Sequence, residues 1–156
     1  MVVNILTRTM EDLFQKTRVI KLCDDDFDSD FHLIHHKFKN KDGYVMIYAP
    51  WCPNCQDKVG FWSYMAEQFN DRGRYHGENF RIGVISTTDP KAEKCVEHFQ
   101  VVAIPMFFHV RPNRLGQGVL AEYQGADLQP SSLLAEVCQE SPERHLCRLK
   151  LDDNKM

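Results

Sequence analysis

Cys52 and Cys55 stand two residues apart in the stretch YAPWCPNC, residues 48–55. Thiols at that spacing can form a redox pair, supply half of a metal site, or close a structural staple. The apolar run YVMIYA (Tyr44 to Ala49) precedes them, and Val59, Trp62, Met65, Ala66 and Phe69 follow at helical steps of three and four. The pair therefore belongs at a strand-to-helix junction. There Cys52 faces unpaired backbone N–H groups and the positive end of the helix dipole, which favour a thiolate. Cys55, one helical turn on, is close enough to attack a mixed disulfide formed by Cys52. Pro53 suits the first helical turn, because it has a preset φ and gives up no donor the helix needs. Asn54 adds no charge.

The other uses of the pair fit less well. A zinc site usually needs four ligands, and none of the remaining cysteines (Cys23, Cys95, Cys138, Cys147) forms a second close pair. As a staple, so short a loop removes little chain entropy. Cys23, Cys95 and Cys138 read as buried small apolar residues. Cys147, near His145 in a polar tail, reads as the exposed cysteine, either free or available for an intermolecular bond. His32, His35 and His36 could meet on a helix and hold a metal, but a polar helix face explains them as well. DDDFDSD lacks the glycine and final glutamate of a calcium loop, so helix capping is the expected role of its aspartates. No metal site and no cofactor are expected.

The elements that must position the pair follow from periodicity. Arg18 to Leu22 reads as a strand. The aspartates of residues 24–30 then start a helix over Phe31 to Phe38. Lys39 to Gly43 is a turn, and Tyr44 to Ala49 a strand buried on both faces. After the helix from Pro53 come a polar loop (Asn70 to Asn79), a buried strand from Phe80, and a helix over Pro90 to Phe99. Two strands, Met106 to Val110 and Leu120 to Gly125, are joined by a glycine-containing hairpin loop. A last helix buries Leu133, Leu134, Val137 and Cys138. Alternation ending in a hairpin implies an α/β fold with a central mixed sheet and helices on both faces. The divisions expected are an N-terminal arm or helix (1–17), one domain (18–140) and a polar C-terminal tail (141–156).

Composition narrows the function. A chain of 156 residues, 43% hydrophobic and 26% charged, suits one soluble domain with enough core to need no staple. A net charge of −3 without a basic stripe excludes the electrostatic footprint of a nucleic-acid binder. No apolar run reaches the length of a membrane span. The compartment is unknown; with no visible signal peptide or retention signal, the default expectation is a soluble intracellular protein.

At these residues the chain resembles the thioredoxin superfamily, and YAPWCPNC looks most like an active site of its protein disulfide isomerase branch. YVMIYAPWC is similar to the central strand and its approach, Ala103 to Pro105 to the cis-proline turn, and YQGADLQPSSLLAEV to the last strand and final helix. The resemblance covers about Arg18 to Gln139. It implies a thioredoxin fold, a nucleophile at Cys52, a resolving thiol at Cys55, and a cis bond before Pro105 packed beside them. Trp51, Pro53, Ile104 and Pro105 become the expected substrate-binding residues, Ile104 through its backbone.

The chain departs from the family at the buried acid that usually accepts the second cysteine's proton; Met46 occupies that place. The strand lysine that often pairs with the acid is matched by Ile85 or Ser86. Losing both halves of a buried ion pair can be neutral for stability, whereas losing one is not. Gly60 stands where the family often has a helix-kinking proline, and tolerates the same bend. Thiol-disulfide exchange on protein or peptide substrates is the expected activity, with slow resolution at Cys55. The rival expectation is a catalytically weak binding or structural subunit of a larger assembly. A glutathione-dependent, glutaredoxin-like reading is weaker still, since Met106, Phe107 and Phe108 follow Pro105 where a glycine pair would stand. Direction is not readable, because related pairs span roughly −270 to −120 mV.

Overall fold

The structure is a computed structural model that describes residues 13–154. Most of the expected N-terminal arm, residues 1–12, lies outside the described residues. Five strands, β1 (Ile20–Lys21), β2 (Asp42–Tyr48), β3 (Phe80–Ser86), β4 (Met106–Pro112) and β5 (Gly118–Glu122), form one sheet in the order β1-β3-β2-β4-β5. β2 and β1 run parallel to β3, while β4 runs antiparallel to both β2 and β5. The mixed sheet expected from the sequence is present. β2 is central and is buried throughout after its first residue, which is why its sequence is a continuous apolar run rather than an alternation.

Successive β2 side chains enter different cores. Tyr44, Met46 and Tyr48 join one apolar cluster, Val45 and Ile47 the other. The first cluster is covered by α2 (Val59–Phe69), through Phe61, Trp62, Met65, Ala66 and Phe69, and by α4 (Pro130–Val137), through Leu133, Leu134 and Val137. The second is covered by α3 (Glu93–His98), through Cys95, and by Phe27, Leu33 and Phe38 from the β1–β2 connection. Each such large apolar side chain contributes about 1.5 to 3 kcal/mol on burial. Two polar side chains fix α2 on the sheet: Trp62 Nε1 donates to Gly83 O at 2.9 Å, and the buried Asn70 donates to Arg18 O and Ile82 O while accepting from Ile82 N.

The helix from Pro53 is divided. A single turn, α1 (Pro53–Gln56), ends at Asp57, and α2 starts after Lys58. Gly60 lies inside α2 rather than at this break.

The helix expected over Phe31 to Phe38 does not form. That connection holds two 3₁₀ turns, Asp24–Asp26 and His36–Phe38, with Leu33 bridging Phe27 and Gly118. The reason is the competition of aspartate side chains for backbone donors. Asp26 accepts from Cys23 N, and Asp28 Oδ1 accepts from both Asp30 N and His32 N. Phe31 has φ of +57°, a left-handed backbone that interrupts any helix.

The expectation for Cys147 is corrected as well. It forms an intramolecular disulfide with Cys138, nine positions earlier in sequence, with Cα atoms 5.8 Å apart. Sequence alone does not set disulfide connectivity. Here the chain leaves α4, turns, and brings the 3₁₀ turn His145–Arg148 back with Leu146 buried in the core. Arg144 pairs with Asp42 at 3.1 Å, and Ser131 with Asp153 at 2.8 Å, so residues 141–154 pack on the sheet and α4. Among the described residues no helix is long and apolar enough to cross a membrane.

Candidate active site

Cys52 is the N-cap of α1, with an extended backbone (φ −82°, ψ 119°) and Pro53 at the first helical position. The β2 apolar run delivers it: after Tyr48 the chain turns, Cys52 N donates to Ala49 O at 3.1 Å, and Gln56 Nε2 braces the approach by donating to Pro50 O at 2.8 Å. The Cys52 sulfur accepts the backbone N–H of Cys55 at 3.4 Å. A side-chain acceptor at an N-cap satisfies one of the donors a helix start leaves unpaired. Cys52 also faces Ile104 O, at 3.9 Å from Sγ. The Ile104–Pro105 bond is cis, as the resemblance implied.

The two thiols have different surroundings. Cys55 is fully buried, and its thiol is pushed up to about 12, first by burial and then by the neighbouring Cys52. The Ala49 backbone and the Lys58 ammonium oppose that rise. Cys52 is 6% exposed, and the preceding Trp51 is 57% exposed. Pro53 and Asn54 are exposed, Ile104 and Pro105 half-buried. The structure thus brings Cys52, Cys55 and Ile104 together. Trp51 and Pro53 flank Cys52 along the chain, and Pro105 adjoins Ile104.

Met46 occupies a wholly apolar place. It lies in register between Val84 of β3 and Phe107 of β4, fully buried in the cluster that contains Cys55 and Trp62. Ile85 enters the opposite core, and Ser86 pairs in register with Tyr48 and bonds Thr88. Lys58 and Gln56 are site residues that motif reading passed over. Their signal was position: Lys58 lies three residues after Cys55 and Gln56 four after Cys52, the spacings that meet on a helical turn.

Asp28, Asp30 and His32 offer ligand atoms within 4.8 Å of one another. The Asp28 carboxylate is already engaged by the amides of Asp30 and His32 and by Gln117 Nε2, so the turn accounts for the group. His35 instead caps the following 3₁₀ turn and stacks on His36.

Residues 18–139 match the family described as Thioredoxin. Protein disulfide-isomerase A2 of Mus musculus is 33% identical over 78 residues, a match covering 49% of this chain and 13% of the mouse protein's length. The fold is similar to the Trx4 domain of ERdj5 (TM-score 0.55, 18% identity, 81% of this chain and 97% of that one). It is similar also to the J-Trx1 fragment of ERdj5 (TM-score 0.53, 21% identity, 79% of this chain and 51% of that one). A CxxC pair at the head of a helix, beside a cis proline on a β1-β3-β2-β4-β5 sheet, agrees with these matches: the chain belongs to the thioredoxin family.

Proposed function

We propose that the protein exchanges disulfides with protein or peptide substrates, with Cys52 as nucleophile and Cys55 as resolving thiol. In the reducing direction the Cys52 thiolate attacks one sulfur of a substrate disulfide. An S–S bond forms between protein and substrate, and one substrate thiolate leaves and takes up a proton. Cys55 then loses its proton to water, and its sulfur attacks Cys52 Sγ. The Cys52–Cys55 disulfide forms, the second substrate thiol is released, and two electrons have passed to the substrate. The reverse sequence oxidises a dithiol.

The observation that carries this reading is the bond from Cys55 N to Cys52 Sγ, which keeps the second cysteine within one helical turn of the first. Trp51 supplies an exposed apolar surface next to the nucleophile, and the Ile104 carbonyl lies beside it for an extended substrate. No cofactor takes part. Reduction of insulin by the dithiol form, with Cys52→Ser as control, tests it: turnover lost in the variant is the expected result, and turnover that survives the substitution removes Cys52 from the chemistry.

A second reading, a binding or structural subunit of a larger assembly, is favoured by one observation: apolar Met46 fills the place of the base that would deprotonate Cys55. On that reading the wild-type protein would reduce insulin no faster than Cys52→Ser does.

A further inference from the structure

We propose that the end of the sheet opposite the cysteines binds a small molecule through a dianionic phosphate group. A cavity of about 230 Å³ opens there, walled by Lys37, Lys41, Arg72 and Arg81 with His36 and His76 beside them. These residues converge from four places: the 3₁₀ turn before β2, the entry to β2, the loop after α2, and the start of β3. The carboxylate on the wall is Asp71, which is 69% exposed and lies 3.9 Å from Lys37. It pairs with Lys37 and also acts on Arg81, so among the described wall residues four cations share one carboxylate. The chain as a whole carries −3, so this concentration of cations runs against the overall balance.

The cations are held in place. The Arg81 guanidinium donates to Glu78 O at 2.8 Å, Phe80 O at 2.7 Å and His76 O at 2.9 Å, three bonds that fix its plane and leave other N–H donors for a ligand. Lys41 Nζ donates to Asn79 Oδ1 at 3.0 Å and keeps its remaining donors. Arg72 stands in a tight turn with φ of +61°, a backbone that side chains other than glycine rarely adopt, closed by the bond from Gly73 N to Asn70 O.

Holding like charges together and partly out of water costs free energy unless an anion joins them. Burial and the Arg81 charge push the Lys41 ammonium below its ordinary value, in the same sense as that geometry. A tetrahedral dianion presents acceptors in several directions at once, which suits lysine and arginine converging on a small cavity better than it suits an extended acidic chain. The phosphate is free or esterified, and the test separates the two. The site begins at Lys41 and the cysteines follow the far end of β2, so about 20 Å of strand divides them. The proposal does not depend on the thiol chemistry.

The experiment is an amide NMR titration of the full chain with inorganic phosphate at constant ionic strength, repeated with chloride. Expected are saturable shifts confined to the neighbourhood of Lys41, Arg72, His76 and Arg81. Lys41→Gln and Arg72→Gln should each weaken binding about tenfold, with insulin reduction unchanged. Arg72 is exposed, so its replacement leaves the fold intact. In a second arm, phosphatidic acid vesicles that retain the wild type but not the variants identify the ester as a lipid headgroup, and glycerol phosphate binding without vesicle retention identifies a soluble one. Shifts reproduced by chloride, no saturation at millimolar phosphate, or wild-type affinity in both variants would overturn the proposal.

Discussion

The backbone N–H of Cys55 donates to Cys52 Sγ across 3.4 Å. The residue proposed to attack Cys52 therefore already positions it, but its own sulfur is buried and held protonated to about 12. Supply of the Cys55 thiolate then limits resolution. Between pH 7 and pH 10 the rate of release of a substrate from Cys52 should rise about tenfold per unit. Acid quenching followed by mass spectrometry of the mixed disulfide measures this, and a release rate flat over that range contradicts it.

Met46 between Val84 and Phe107 leads to a second expectation. Met46→Asp places a carboxylate in the apolar cluster that contains Cys55, and a positioned base is worth about 10² to 10⁴ in rate. The same carboxylate is buried without a cation partner, which costs several kcal/mol. The variant should resolve mixed disulfides faster and unfold at lower urea concentration. A destabilised protein that resolves no faster would show that this position does not communicate with Cys55.

The Cys138–Cys147 bridge ties the end of α4 to a segment whose Leu146 is buried and whose Arg144 meets Asp42. Closing a loop of this size restricts the unfolded chain by about 2 to 3 kcal/mol. The double variant Cys138→Ala with Cys147→Ala should lose roughly that stability in urea denaturation while insulin reduction persists. An unchanged unfolding midpoint would mean that packing of residues 141–154 needs no covalent tie.

Much of this was legible in the sequence where one physical demand dominated. β2 is buried on both faces and reads as an unbroken apolar run, and α2 buries one stripe and reads with helical period. Residues 24–38 were misread because aspartates can start a helix or replace it with side-chain-capped turns, and the Asp28 bonds choose the latter. The pairing of Cys138 with Cys147 depends on a turn that composition does not announce. The cationic cavity shows no basic stripe, because its members are scattered from His36 to Arg81 and meet only through parallel pairing of β1, β2 and β3.

His109 supplies a pH dependence of stability separate from the thiols. It is 3% exposed and stacked on Tyr44, with Nδ1 3.2 Å from Glu136 Oε1. Its Nε2 has no hydrogen-bond partner among the described residues and lies 3.9 Å from Asp42, which Arg144 also engages. Burial, reinforced by Arg111, lowers the imidazole below its ordinary value, while Glu136 and Asp42 act in the opposite sense without reversing it. The unfolded chain therefore takes up this proton first as pH falls. Stability from the neutral imidazole is fully present above the unfolded value of about 6.5. It is lost as pH drops through that value, by at most about 1.4 kcal/mol per unit, and levels off below the folded value. Urea unfolding at pH 7.5 and 5.5 should show this loss. His109→Phe, which keeps a ring against Tyr44, should flatten it relative to wild type. Identical pH slopes for the two proteins would show that other groups govern acid sensitivity.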